Sequence, residues 1–117
     1  MGKEMRELLI SLGAGVGAPT RYLFDKHFKK IHSMNLPLET LLINILGSFI
    51  LGFTVHRSAN LGYLLGTGFA GAFTTWSTFM VELHDLFRER KRLYSALYLA
   101  LTLILGVIAA ALGNSIR

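Results

Sequence analysis

Hydrophobic and polar positions divide the chain into four apolar runs separated by short polar connections. The runs cover residues 8–24, 36–55, 61–83 and 93–113, and each is close to the roughly 20 residues that a membrane-spanning helix needs. The first run is the weakest because three glycines and Pro19 interrupt it, whereas the fourth contains no charged residue. The pattern predicts an all-α membrane protein with one domain, residues 1–117, built from four transmembrane helices.

Composition supports this class. Of the 117 residues, 52% are hydrophobic and only 16% are charged, against about 25% charged residues in an average soluble domain. A soluble domain of this length cannot bury so many apolar side chains in its small core. The net charge of +5 would suggest nucleic acid as the partner of a soluble protein. Here the basic residues lie mostly between the runs, which favours contact with lipid headgroups rather than with nucleic acid.

The basic residues also bear on orientation. The connections after the first and third runs carry more of them than the opposite side of the predicted bundle does. The two sets are Lys26, Lys29, Lys30, Arg88, Arg90, Lys91 and Arg92, and Lys3, Arg6, Arg57 and Arg117. Because basic loops tend to remain cytoplasmic, this bias mildly favours a multi-pass protein of the cell membrane with both termini outside.

Signs of enzymatic chemistry are weak. Without cysteine, the chain cannot form disulfides, zinc–thiolate sites or a cysteine nucleophile. Its four histidines lie at or beyond the ends of the runs, without the spacing of a metal site. Neither a phosphate-binding loop nor a Ser-His-Asp order is visible, so we expect a protein that is not an enzyme.

Polar residues inside the second run form a stripe. Thr40, Asn44 and Ser48 are spaced by four, which places them on one face of a helix over about 12 Å. Polar side chains within a bilayer are costly and need partners or water. The stripe therefore either forms hydrogen bonds between helices or lines a path for a polar solute.

The third run predicts an interrupted helix. Gly66, Gly68 and Gly71 precede a stretch of hydroxyl residues at 74–78, and such residues compete for backbone hydrogen bonds. We expect a break near residues 71–75, where free carbonyls bind a cation and free amides bind an anion. The alternative is a straight helix whose hydroxyls bond back to its own carbonyls.

Taken together, the polar groups inside the runs are rich in hydrogen-bond donors. They include Arg21, Asn44 and several hydroxyls, whereas Glu39 and Glu82 lie near run ends. Donors without a central carboxylate indicate an anion. Aromatic ring edges carry partial positive charge, so the rings of the third run also suit an anion. Arg21 either reaches the headgroups or raises the anion concentration at a pore mouth.

Three segments resemble the motifs of one family. Residues 17–22 (GAPTRY), 44–49 (NILGSF) and 71–79 (GAFTTWSTF) are similar to the G-A-x-x-R-Y, N-x-x-G-S-F and G-x-F-T-T-F-S-T-F motifs of the Fluc (CrcB) fluoride channels. They occur in the same order and at the same spacing as in that family. The likeness covers nearly the whole chain.

The resemblance implies a passive fluoride channel that lowers toxic cytoplasmic fluoride. Two copies pair antiparallel (dual topology), with two pores, and the third helix breaks mid-membrane. The carbonyls of Gly71 and Thr74 would hold a structural sodium ion, and Arg21 would lie in the vestibule. The residues expected along the fluoride pore are Asn44, Trp76, Phe79, Ser77, Thr40, Ser48, Thr102 and Glu82.

Two departures from the family pattern leave questions open. Trp76 stands where the family usually has phenylalanine, and its larger indole adds an N–H donor. The uneven loop charge keeps a heterodimer with an oppositely oriented homologue open beside the homodimer.

Two other functions are possible from the sequence. A small multidrug-type cation/proton antiporter has similar size, but it needs a carboxylate in its first span, and none follows Glu7 there. A structural membrane subunit without transport activity is the second alternative.

Overall fold

The structure, a computed structural model, describes residues 2–28, 38–74 and 76–116. Within these ranges all regular elements are helices and no strand is present, so the predicted all-α class is confirmed. The third apolar run forms two helices, and each of the other runs forms one. The helices are α1 (Gly2–Phe28), α2 (Leu38–Thr54), α3 (59–73), α4 (Trp76–Arg88) and α5 (Arg92–Ser115).

Length and composition single out α5. In the described part of the chain it is the one helix long and apolar enough to cross a membrane by itself. α2 is apolar but has only 17 residues, and α1 has 27 residues but carries more charge. Many large apolar side chains are also exposed, including Leu93 at 70% and Val107 at 69% on α5. Such exposure is costly in water but not in lipid, so the fold is consistent with a membrane protein.

α3 is irregular along its length. It begins as α-helix at Ala59–Leu61, continues as π-helix over Gly62–Ala70 and ends as α-helix at Gly71–Phe73. Thr74 then has extended backbone, with φ −78° and ψ 163°, and α4 begins at Trp76. The helix is thus interrupted within the predicted stretch 71–75, whereas the π-helix is a feature that the sequence did not predict.

Small residues allow the helices to approach closely. α2 packs side by side with α5, and a Cβ added at Gly52 would overlap the Ala110 carbonyl. α1 packs in the same way along α3, where a Cβ at Gly13 would overlap the Leu64 carbonyl. Near the ends of α2 and α5, the Arg57 Nη2 donates a hydrogen bond of 3.1 Å to the Ile116 carbonyl.

The buried core lies between α2, α4 and α5. Its central members are Leu41, Phe79, Leu86 and Tyr98. Phe79 and Tyr98 are completely buried, and their rings meet edge to face with centroids 5.0 Å apart. This cluster holds α4 against α5 after the interruption at Thr74.

Candidate functional site

A groove of about 380 Å³ lies where α2, α5 and the end of α3 meet. Its polar lining consists of Asn44, Ser48, Thr74 and Thr102, and the other lining residues are apolar. Among the described residues, no carboxylate lines it. The structure therefore brings together polar residues of the second, third and fourth apolar runs, including three that the sequence predicted for the fluoride path.

The hydroxyl groups of the groove bond to their own helices. The Ser48 hydroxyl donates to the Asn44 carbonyl at 2.8 Å, and the Thr102 hydroxyl donates to the Tyr98 carbonyl at 2.7 Å. The sequence raised such back-bonding only for the hydroxyls of the third run, where Thr74 shows it; on the second and fourth helices it was not predicted. A hydroxyl has one hydrogen and rotates readily, so each can donate to an ion only by leaving its carbonyl. The Asn44 amide is the lining group with two N–H donors.

Thr74 owes its position to a glycine on α2. Its methyl group lies against Gly47, and a Cβ at that position would overlap it. The backbone N–H and the hydroxyl of Thr74 both donate to the Ala70 carbonyl, at 2.9 Å and 2.8 Å. These contacts close the last turn of α3, so the chain leaves the helix at a defined residue.

A second polar cluster lies one helical turn along α5 from Thr102. The Tyr98 hydroxyl donates to the Glu82 Oε1 at 3.0 Å. The Thr40 hydroxyl lies beside the same carboxyl group and the Tyr98 hydroxyl. The structure thus joins Thr40 and Glu82, both predicted from the sequence, to a tyrosine that was not predicted.

Tyr98 carried a signal in the sequence that was missed. It lies four residues before Thr102 and hence on the same face of the fourth helix. Its hydroxyl is one of the few polar groups in that apolar run. A tyrosine in a membrane helix is readily assigned to an interfacial belt, but this one is completely buried.

The predicted vestibule arginine reaches α4. The Arg21 Nη2 donates to the Thr78 hydroxyl at 2.8 Å, across 57 positions of sequence. Thr78 is the neighbour of Phe79, so this bond connects α1 to the part of α4 that contacts Tyr98. The side chains of Trp76 and Ser77 lie outside the described residues, and their predicted roles stay predictions.

The last carbonyls of a helix have no partner within that helix, and among those of α3 the Ala70 carbonyl accepts from Thr74. That end of a helix carries partial negative charge, which favours a cation. The described residues contain no group of three or more His, Asp or Glu side chains able to hold a metal. A cation here would thus depend on backbone carbonyls, the ligands predicted at Gly71 and Thr74.

Comparison with known proteins adds the family. Residues 8–114 match the family described as "CrcB-like protein, Camphor Resistance (CrcB)". The chain is 43% identical over 111 residues to fluoride-specific ion channel FluC 2 of Bacillus cereus, which covers 93% of this chain and 94% of the relative. It is 44% identical over 107 residues to FluC 1 of Ligilactobacillus salivarius, covering 90% and 93% of the two chains. FluC 1 of Listeria monocytogenes is 46% identical over 112 residues, covering 91% and 92%.

Proposed function

The chain belongs to the CrcB family, and on that premise we propose that it is a fluoride-selective ion channel rather than an enzyme. Its relatives are named fluoride-specific ion channels. The observation that carries the proposal is the groove that joins Asn44, Ser48, Thr74 and Thr102 without a lining carboxylate. Passive export through such a path would lower cytoplasmic fluoride, and the cell membrane is the expected location.

Fluoride is small and strongly hydrated, so a path must replace its water with closely placed donors. The Asn44 amide supplies such donors, and Ser48 and Thr102 each supply one when their hydroxyls rotate away from a helix carbonyl. Each exchange replaces one hydrogen bond by another. The resulting sites are weak and multiple, which conduction requires.

The polar path extends beyond the groove through Thr40, Glu82 and Tyr98. Thr102 connects the two parts because it lines the groove and also donates to the Tyr98 carbonyl. Phe79 contacts the Tyr98 ring edge to face, and Arg21 reaches Thr78 beside it. We assign these residues to the conduction path, together with Trp76 and Ser77 from the sequence.

The assembly belongs to the same proposal. We infer that two copies pair antiparallel in the bilayer, with the interruption at Thr74 near mid-membrane. The groove is open in the single chain, and a second copy would close it. The last-turn carbonyls of α3 suit a sodium ion at the centre of the pair, held by Gly71 and Thr74. Such an ion would fix the two interrupted helices against each other.

Fluoride efflux from liposomes tests the function. The purified chain is reconstituted with potassium fluoride inside, and valinomycin is added to collapse the membrane voltage. A fluoride electrode should record rapid release, whereas chloride in a parallel experiment should hardly move. Comparable rates for the two anions would overturn fluoride selectivity.

Asn44→Asp tests the role of the Asn44 amide, because it replaces N–H donors by acceptor oxygens at nearly constant side-chain volume. It should abolish efflux while the protein elutes normally from a sizing column. If the wild-type protein released no fluoride but transported a quaternary ammonium compound, the antiporter alternative would be supported instead. Absence of both would support a structural subunit.

A further inference from the structure

A second groove lies on α2 away from the polar groove. It has a volume of about 330 Å³ and is lined by Phe49, Ile50, Phe53, Leu65 and Phe69. Every lining residue is apolar, so this surface has no role in the ion path described above. Three of the five side chains belong to α2 and two to α3, and the groove follows the line between these helices. We call it the apolar groove.

One end of the apolar groove meets a cation. The guanidinium of Arg57 lies 4.2 Å from the centroid of the Phe53 ring, and Phe53 is part of the groove wall. Arg57 follows α2 in the short connection to α3. If the helices span a bilayer, this connection lies at the level of the lipid headgroups.

The hydrogen-bonding capacity of Arg57 is only partly used. One N–H, on Nη2, donates to the Ile116 carbonyl, and the buried Nε has no hydrogen-bond partner among the described residues. No described carboxylate forms an ion pair with the side chain. A guanidinium has five N–H donors arranged to bind phosphate. The buried Nε is not accessible from outside, so Arg57 retains its charge and its remaining Nη donors for an external anion.

We propose that Arg57 and the apolar groove together bind one anionic phospholipid. The phosphate contacts the Arg57 guanidinium, and an acyl chain lies along Phe53 and Phe49 towards the middle of the membrane. Charge and apolar surface meet at one residue, Phe53, which matches the junction of headgroup and chain in a phospholipid. The inference rests on the chain spanning the bilayer and is independent of which ion it conducts.

Native mass spectrometry of the purified protein tests the proposal. The protein is incubated in detergent with equal amounts of phosphatidylglycerol and phosphatidylcholine, and retained lipids are counted. Wild type should retain phosphatidylglycerol preferentially. Arg57→Gln should lower this preference about five-fold, the effect of about one basic residue near an anionic surface. Unchanged preference in Arg57→Gln would overturn the proposal.

Lys3→Gln is the matched control. It removes the same charge from an exposed position of α1 that does not line the apolar groove. It should retain the wild-type preference, and an equal loss in both variants would overturn the proposal in favour of a general charge effect.

Two further variants decide the matter if Arg57→Gln does not fold. Arg57→Lys keeps the charge and should keep most of the preference, whereas Leu65→Phe fills the groove and should lower lipid retention with Arg57 intact. Normal retention in Leu65→Phe would overturn the acyl-chain site. Soluble glycerol phosphate should not compete with the lipid, and effective competition would likewise overturn a site that requires the groove. Fluoride efflux does not enter these readouts, so their failure is distinguishable from failure of the proposed function.

Discussion

At the scale of single residues, Tyr98 holds together the buried end of the proposed path. Its ring packs against Phe79, and its hydroxyl donates to Glu82. A substitution by phenylalanine removes the hydrogen bond without removing the ring contact, because it keeps the ring and deletes only the hydroxyl. Tyr98 therefore offers a test of the polar cluster that leaves the packing of α4 on α5 nearly unchanged.

Tyr98→Phe should reduce fluoride efflux about ten-fold, the effect of losing roughly 1.4 kcal/mol from one hydrogen bond. The variant should remain folded, since its ring still fills the core. Efflux is measured per reconstituted protein, with thermal unfolding in detergent as the check on folding. Efflux at the wild-type rate would remove Tyr98 from the path and leave it a packing residue.

Phe79 requires a different design because it is completely buried. Phe79→Ile removes the aromatic edge proposed to face the ion, and it should abolish efflux. It should also lower the free energy of unfolding by about 1–2 kcal/mol through lost packing. A loss of efflux alone thus does not separate the two roles.

Leu86→Ala supplies the missing control. Leu86 belongs to the same buried cluster but has no assigned place on the path. It should lower stability by about 2–5 kcal/mol while the folded fraction conducts fluoride normally. Equal loss of efflux per folded protein in both variants would count against a specific role of the Phe79 ring.

At the scale of helices, the interruption of the third run depends on a contact with α2. The Thr74 methyl occupies space that only a glycine at position 47 leaves open. Gly47→Ala should therefore displace Thr74 or separate the helices, with a loss of about 1–3 kcal/mol in unfolding free energy. Thermal unfolding in detergent measures this loss, and efflux should fall with it.

Gly15→Ala is the corresponding control. Nothing lies within 4 Å of a Cβ added there, and alanine favours a helix over glycine by about 1 kcal/mol. This variant should be as stable as wild type or more stable. If both substitutions had the same effect, the contact between Gly47 and Thr74 would not determine where α3 ends.

The positions of the helices could be predicted because they follow from local features of the sequence, the apolar runs and the polar residues that bound them. The sequence also predicted the interruption at residues 71–75, since glycines and hydroxyl residues there oppose a regular helix. It did not predict the π-helix at Gly62–Ala70. In that segment the backbone of α3 lies close against α1, with Gly68 beside Ile10, and such a fit between helices is not encoded in periodicity.

The candidate site was predictable to a similar degree. The stripe of Thr40, Asn44 and Ser48 placed two residues in the groove and one in the cluster with Glu82. The partners of those residues could not be inferred, because bonds such as Arg21 to Thr78 join positions far apart in the chain. Tyr98 was missed because burial, which distinguishes it from an interfacial tyrosine, is a property of the folded chain.

At the scale of the whole molecule, the single chain leaves its polar groove open and Gly71 exposed beside it. The molecule extends 52 Å along its longest axis, so the two ends of its helix bundle lie on opposite sides of a bilayer if it spans one. In an antiparallel pair, equivalent residues near the centre come close together, whereas equivalent residues at one end lie far apart. A parallel pair brings equivalent ends to the same side.

Single cysteines distinguish the two arrangements, and the absence of natural cysteines makes each unambiguous. In Gly71→Cys, a short bismaleimide should cross-link the introduced cysteines of the two subunits, because Gly71 is exposed next to the interruption of the third run. Lys3→Cys should not be cross-linked, since the two N-termini would lie on opposite sides of the membrane, and an impermeant maleimide should label it from both sides. Linking at Lys3→Cys without linking at Gly71→Cys would exclude the antiparallel pair. Labelling of Lys3→Cys from one side alone would instead point to an oppositely oriented partner chain, which the uneven charge of the loops leaves open.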